Sequence, residues 1–191
     1  MVWSKMKQQL ESFLCPELVG RVEYRATSYR YLPDKAGQCY ITVDKKEVFN
    51  MTDVTNALRW YQTEQEIKND LHVQISVSAD EIDIVRKDTG GRVPEDRLTV
   101  IARNSKVSAY AKEMLEAQVA LSKSDFYSTA NTFLSISIED SLGSKDILLN
   151  VFAMVDRRMG KKRLLSMESK MKQKHPVVQY FYELRRCTLS A

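Results

Sequence analysis

VEYRATSYRYLPDKAGQCYITVDKKEVFNM, residues 22–51, is the stretch whose reading decides the fold class. Three runs rich in β-branched and aromatic residues (22–32, 39–43 and 47–51) are separated by the turn formers PDKAG at 33–37 and a short DKK turn. Runs of that composition bounded by such turns predict an antiparallel meander of three strands. In the middle run Cys39, Ile41 and Val43 share one face and Tyr40 and Thr42 the other, so one face needs a cover.

Working outward, helices flank the meander on both sides. Before it, Trp3, Met6, Leu10, Phe13 and Leu14 recur at three- and four-residue spacing, and Pro16 ends the helix near Leu14. After it, Thr52 or Asp53 caps a helix over roughly 54–69, with Val54, Ala57, Leu58 and Tyr61 as its expected buried stripe. Residues 71–77 switch to period two and predict a fourth strand. Over 79–88 the signals divide. Ser78 and Glu81 have capping-box spacing, while Ile82 and Ile84 also fit a strand.

From residue 94 on, the pattern is helical. Pro94-Glu95-Asp96 opens one helix. Ser124-Asp125 caps the next, with Phe126, Ala130, Phe133 and Leu134 inward, and Ser137 and Asp140 mark a short turn of helix ending at Gly143. Leu148, Val151, Phe152, Val155 and Met159 share a wide face, and HPVV at 175–178 opens the last helix. The expectation is an α+β protein: an N-terminal helix and antiparallel meander, then a mostly helical C-terminal part. TGGR (89–92) holds the one glycine pair and suggests a seam, giving residues 1–91 and 92–191 as subdomains or one compact domain. Trp3, Leu10, Phe13, Ile41, Val43, Leu58, Phe126, Phe133, Val151, Val155 and Phe181 are the expected core.

Composition narrows the class. Of 191 residues, 43% are apolar and 28% charged, which suits a chain that folds around a core rather than a disordered one. No apolar run reaches the length of a membrane span, and three widely spaced cysteines suit a reducing compartment, so a cytoplasmic protein is expected. Charge is uneven. Residues 156–191 carry ten Lys/Arg against three acids, whereas residues 1–155 hold 19 against 22.

No motif assigns an activity. His72 and His175 have no second ligand at metal spacing, so no metal and no cofactor is expected. GKK at 160–162 has Val155 where a phosphate loop needs glycine. Ser4 with Lys7 and Ser169 with Lys172 match a serine-lysine spacing without any companion motif. The acids Asp80, Glu81 and Asp83 read as a solvated face. Arg21, Arg25, Tyr29 and Tyr31 share one parity of the first strand and could stack bases, although tyrosines more often pack beneath a flanking helix.

The least generic stretch is LLNVFAMVDRRMGKKRLLSM, 148–167. In it Asp156 is followed by Arg157, Arg158, Lys161, Lys162 and Arg163, the candidate binding residues for an anion or acidic partner. Gly160 either lies within a continuous helix or caps the C-terminus of one. Together with SDFYSTANTFLSISIEDSLGS (124–144), HPVVQYFYELR (175–185), WSKMKQQLESFLCPELVGRVEY (3–24) and GQCYITVDKKE (37–47), the DRRMGKKRL pattern resembles a family of uncharacterised small bacterial cytosolic proteins. That resemblance implies no catalytic residue. Two functions follow from the residues themselves. The first is a non-enzymatic binding protein with a protein or nucleic-acid partner at the basic C-terminal segment. The alternative is an enzyme that grips a phosphorylated or nucleotide substrate through the same bases.

Overall fold

The computed structural model describes residues 2–32, 35–70, 73–117 and 120–189. The predicted meander is present. Strands β1 (Val22–Ser28), β2 (Gly37–Val43) and β3 (Lys46–Thr52) pair antiparallel in sequence order. Tyr24 faces Ile41 across β1 and β2, and Ile41 faces Phe49 across β2 and β3, with a register shift at Ile41/Thr42. Asp44 and Lys45 both take positive φ, as a two-residue hairpin of the primed type requires. Gly37 admits no side chain, because a Cβ there would lie 1.9 Å from the Thr27 carbonyl oxygen.

The chain divides into two compact units, residues 1–54 with 121–191, and residues 55–120. In the first, α1 (Trp3–Ser12) and α5 (Lys123–Ser135) pack on the sheet. They cover the face made by Val22, Tyr24, Cys39, Ile41, Val43, Phe49 and Met51, all buried. Behind them α6 (Ile138–Gly143), α7 (Ile147–Val155) and α10 (Pro176–Cys187) pack together, with short helices α8 (Lys161–Ser166) and α9 (Glu168–Met171) against α10. From Leu148 to Val155 every residue of α7 is buried, so the amphipathic wide face predicted there is in fact a helix covered all round. Tyr24, Phe126, Phe133 and Phe152 join ring to ring at centroid spacings of 5.1–6.4 Å. Trp3 and Phe13, expected in the core, are only half-buried at its edge.

Asn150 is the polar exception in α7. Its amide donates to the carbonyls of Ser141, Ser144 and Asp146, and its oxygen accepts from Lys174 Nζ at 2.5 Å. A buried amide with all these partners costs little and fixes the turn before α7. The cap of α5 is Ser122 rather than Ser124: Ser122 and Asp125 form a capping box. The chain leaves this unit after Val54 and re-enters at Leu121, and the two points are tied together. Thr52 N donates to Leu121 O, while the Asp53 carboxylate accepts from Gly37 N and Lys123 N.

The second unit contains most of α2 (Asp53–Asn69), then α3 (Ala79–Asp88) and α4 (Glu95–Ala117). Residues 79–88 are helical, and the Ser78–Glu81 capping box explains why that alternative wins. TGGR lies inside this unit, at the end of α3, with Gly90 and Gly91 both at positive φ. Two expectations fail here. Residues 73–78 form no strand, and Leu71 and His72 lie outside the described residues. Val73 and Ile75 instead pack beside Ile67, Val107 and Ala111. The expected stripe of α2 is also on the wrong side: Val54, Leu58 and Tyr61 are 49%, 58% and 63% exposed, and Ala57 is exposed too. The inward side of α2 carries Asn56, Glu64 and the buried Ile67, with Trp60 at its edge, 40% exposed. Trp60 Nε1 donates to Ser108 O, Ser108 Oγ donates to Glu64, and Asn56 donates to Ala120 O. The covered side is thus chosen by Ile67, which joins Val107 and Ala111, together with these hydrogen bonds, and not by the apolar stripe.

Candidate functional site

The DRRMGKKRL segment is built by the end of α7. After Val155 the backbone turns extended at Asp156 (ψ 138°) and runs beside the chain that follows α1. Cys15 N donates to Val155 O at 2.9 Å, and Arg157 N donates to Phe13 O at 2.7 Å. Asp156 is only 1% exposed, and a single side chain neutralises it. Arg158 donates Nε and Nη2 to Asp156 Oδ2 at 2.9 and 2.7 Å, while Arg158 N donates to Oδ1 at 2.6 Å. The guanidinium also lies over the rings of Phe13 (4.3 Å) and Phe133 (5.4 Å).

Gly160 takes neither of its expected places. With φ −70° and ψ 157° it is the N-cap of α8, outside both the helix interior and the left-handed region of a C-terminal cap. Lys161, Lys162 and Arg163 therefore occupy the first turn of α8, the end where the helix dipole disfavours cations. Of the three, only Arg163 also stands in the last turn of this six-residue helix.

The five candidate bases consequently separate. Arg158 is taken up by Asp156, and Arg163 by an ion pair with Glu139. Arg157, Lys161 and Lys162 are exposed, and among the described residues none forms an ion pair. Further along, Lys170 and Lys172 are exposed, Arg186 pairs with Glu183, and the buried Arg185 binds Glu17 at 3.0 Å. Arg185 was not legible as structural, because Glu17 lies far away in sequence.

The other candidates resolve separately. Arg21 and Arg25 are held by Asp44 and Glu23. Tyr29 and Tyr31 lie beyond the end of β1, and no helix covers Tyr31, which is 81% exposed. Glu81 caps α3 and pairs with Lys106. His175 caps α10 through Nδ1, which accepts from Val177 N at 3.2 Å, and burial lowers its pKa. Burial pushes the Cys15 thiol up to about 11 and Cys39 to about 12, so neither is a thiolate nucleophile at neutral pH. Cys187 is exposed.

Fold and segment together define an α+β protein whose antiparallel meander is covered by helices on one face. A family model described as the SF0329 protein family matches residues 2–186, and the chain belongs to that family. No curated protein and no solved structure matches it. Among the described residues, no helix is long and apolar enough to cross a membrane.

Proposed function

We propose that the protein is a non-enzymatic binding protein that presents Arg157, Lys161 and Lys162 to an anionic macromolecular partner. One observation carries this reading: these three bases are exposed and, among the described residues, form no ion pair, the Arg157 guanidinium meeting only the Phe13 ring at 5.9 Å, while Arg158 and Arg163, in the same segment, are bound by carboxylates. Lysines in the first turn of a helix oppose its dipole, so helix stability gives no reason for Lys161 and Lys162. The enzymatic alternative asks for a general base beside the bases, and Asp156, the carboxylate next to them in sequence, is buried and held by Arg158. In the same reading the protein works in a bacterial cytosol, which its sequence resemblance implies and which suits Cys15 and Cys39 as buried free thiols.

Retention on heparin, read against salt, tests this. Replacing Arg157, Lys161 and Lys162 together with alanine should move elution to markedly lower salt, with stability changed by no more than about 0.5 kcal/mol per site. Arg163→Ala should elute close to the unmodified protein. A protein that flows through heparin at low ionic strength contradicts the proposal.

A further inference from the structure

We propose that the anionic partner is single-stranded nucleic acid and that Tyr31, in the β1–β2 hairpin, stacks one of its bases. This rests on the reading above and adds a second contact, independent of Arg157, Lys161 and Lys162. The rings of Tyr29 and Tyr31 are stacked, with centroids 5.9 Å apart and planes 22° from parallel. Tyr29 is half-buried, and its hydroxyl donates to Gln38 Oε1 at 3.0 Å, which anchors the inner ring. Tyr31 is thus held against a fixed ring while 81% of it stays in water. What marks Tyr31 is that its ring is held by Tyr29 with its outer face open, and a base can stack on that face.

The same hairpin carries cations and touches a third. Arg30 and Lys35 are exposed, and Lys123 Nζ donates to Ser28 Oγ at 2.7 Å and Lys35 O at 2.8 Å. Pro33 and Asp34 of the turn lie outside the described residues. An open aromatic face among cations matches a base with its phosphates. An acidic protein surface would use the cations and leave the ring idle. Duplex would keep its bases stacked on one another, so the strand must be single.

Anisotropy of a labelled oligo-dT of about 16 nucleotides tests the assignment. Tyr31→Ala should weaken binding about tenfold or more, while Tyr31→Phe, which keeps the ring, should stay within about twofold. The salt slope should be unchanged in Tyr31→Ala, because no phosphate contact is lost. The double variant Lys161→Ala/Lys162→Ala should reduce that slope by roughly 0.7 per phosphate contact removed. Binding that depends on Lys161 and Lys162 but ignores Tyr31→Ala overturns base stacking and leaves the anion-binding reading intact. Binding of poly-glutamate in place of oligo-dT overturns the nucleic-acid assignment in favour of an acidic protein. A protein that binds neither polyanion refutes the underlying reading itself.

Discussion

Arg158 and Asp156, two residues apart, form a closed pair in which one guanidinium edge meets one carboxylate oxygen at 2.7 and 2.9 Å. The pair is also shielded by aromatic rings, since Phe13 and Phe133 lie against the guanidinium. It sits where the end of α7 and the chain after α1 run side by side, joined by backbone hydrogen bonds from Cys15 N to Val155 O and from Arg157 N to Phe13 O. Asp156 is buried there only because its charge is matched.

Removing the matching charge should therefore be costly. Arg158→Ala leaves the Asp156 carboxylate uncompensated and should destabilise by about 3 kcal/mol, read as a lower urea midpoint. Arg163→Ala, which breaks an exposed pair, should cost no more than about 1 kcal/mol. Equal midpoints for the two variants would contradict the assignment of Arg158 as structural.

His175 makes stability depend on pH. Its imidazole caps α10 as an acceptor, and burial holds its folded pKa below the unfolded value near 6.5. The unfolded chain therefore binds the proton more readily, so this contribution is complete above about pH 7 and is lost as pH falls through 6.5 and below. Melting temperature should drop over that window. In His175→Asn, which caps without titrating, this part of the drop should vanish; a drop of the same size would assign it to other groups.

Truncation should be costly at a buried helical position and nearly silent at an exposed one. Phe133 is buried among Phe13, Phe152 and Arg158, so Phe133→Ala should cost about 3–5 kcal/mol. Leu58→Ala, on the exposed side of α2, should stay within about 0.5 kcal/mol. Thermal unfolding of both variants decides this directly.

Gly37→Ala should destabilise by about 1–3 kcal/mol, because the new methyl meets the Thr27 carbonyl and pushes β1 from β2. Loss of strand signal in the amide region of the infrared spectrum should accompany it. A variant as stable as the unmodified protein would argue against the Ser28–Gly37 pairing.

Thiol titration should separate the cysteines. In the folded protein a disulfide reagent should modify Cys187 rapidly, and Cys15 and Cys39 only after denaturation, since both are buried with raised pKa values. Three rapidly reacting thiols would contradict the packing around Cys15 and Cys39.

What the sequence determined by itself is the part controlled by neighbours along the chain. The meander follows from turn residues and period-two runs, and the Ser78–Glu81 capping box, Pro94 before α4 and Pro176 at the first position of α10 mark helix starts, whereas the cap of α5 lies two residues before the Ser124 that the sequence suggested. Such signals act over three or four residues, so they survive in one dimension. Tertiary structure alone decided which side of a helix is covered. The apolar stripe of α2 was visible, but the side turned inward is the one that carries Ile67, buried beside Val107 and Ala111, and Glu64, bound to Ser108. Tertiary structure also sorted the five bases after Asp156. Asp156 fixes Arg158 inside the segment, but Glu139 reaches Arg163 from another helix, leaving Arg157, Lys161 and Lys162 exposed. Periodicity records that a face or a charge exists, whereas its partner is brought by folding, over distances the local pattern does not encode.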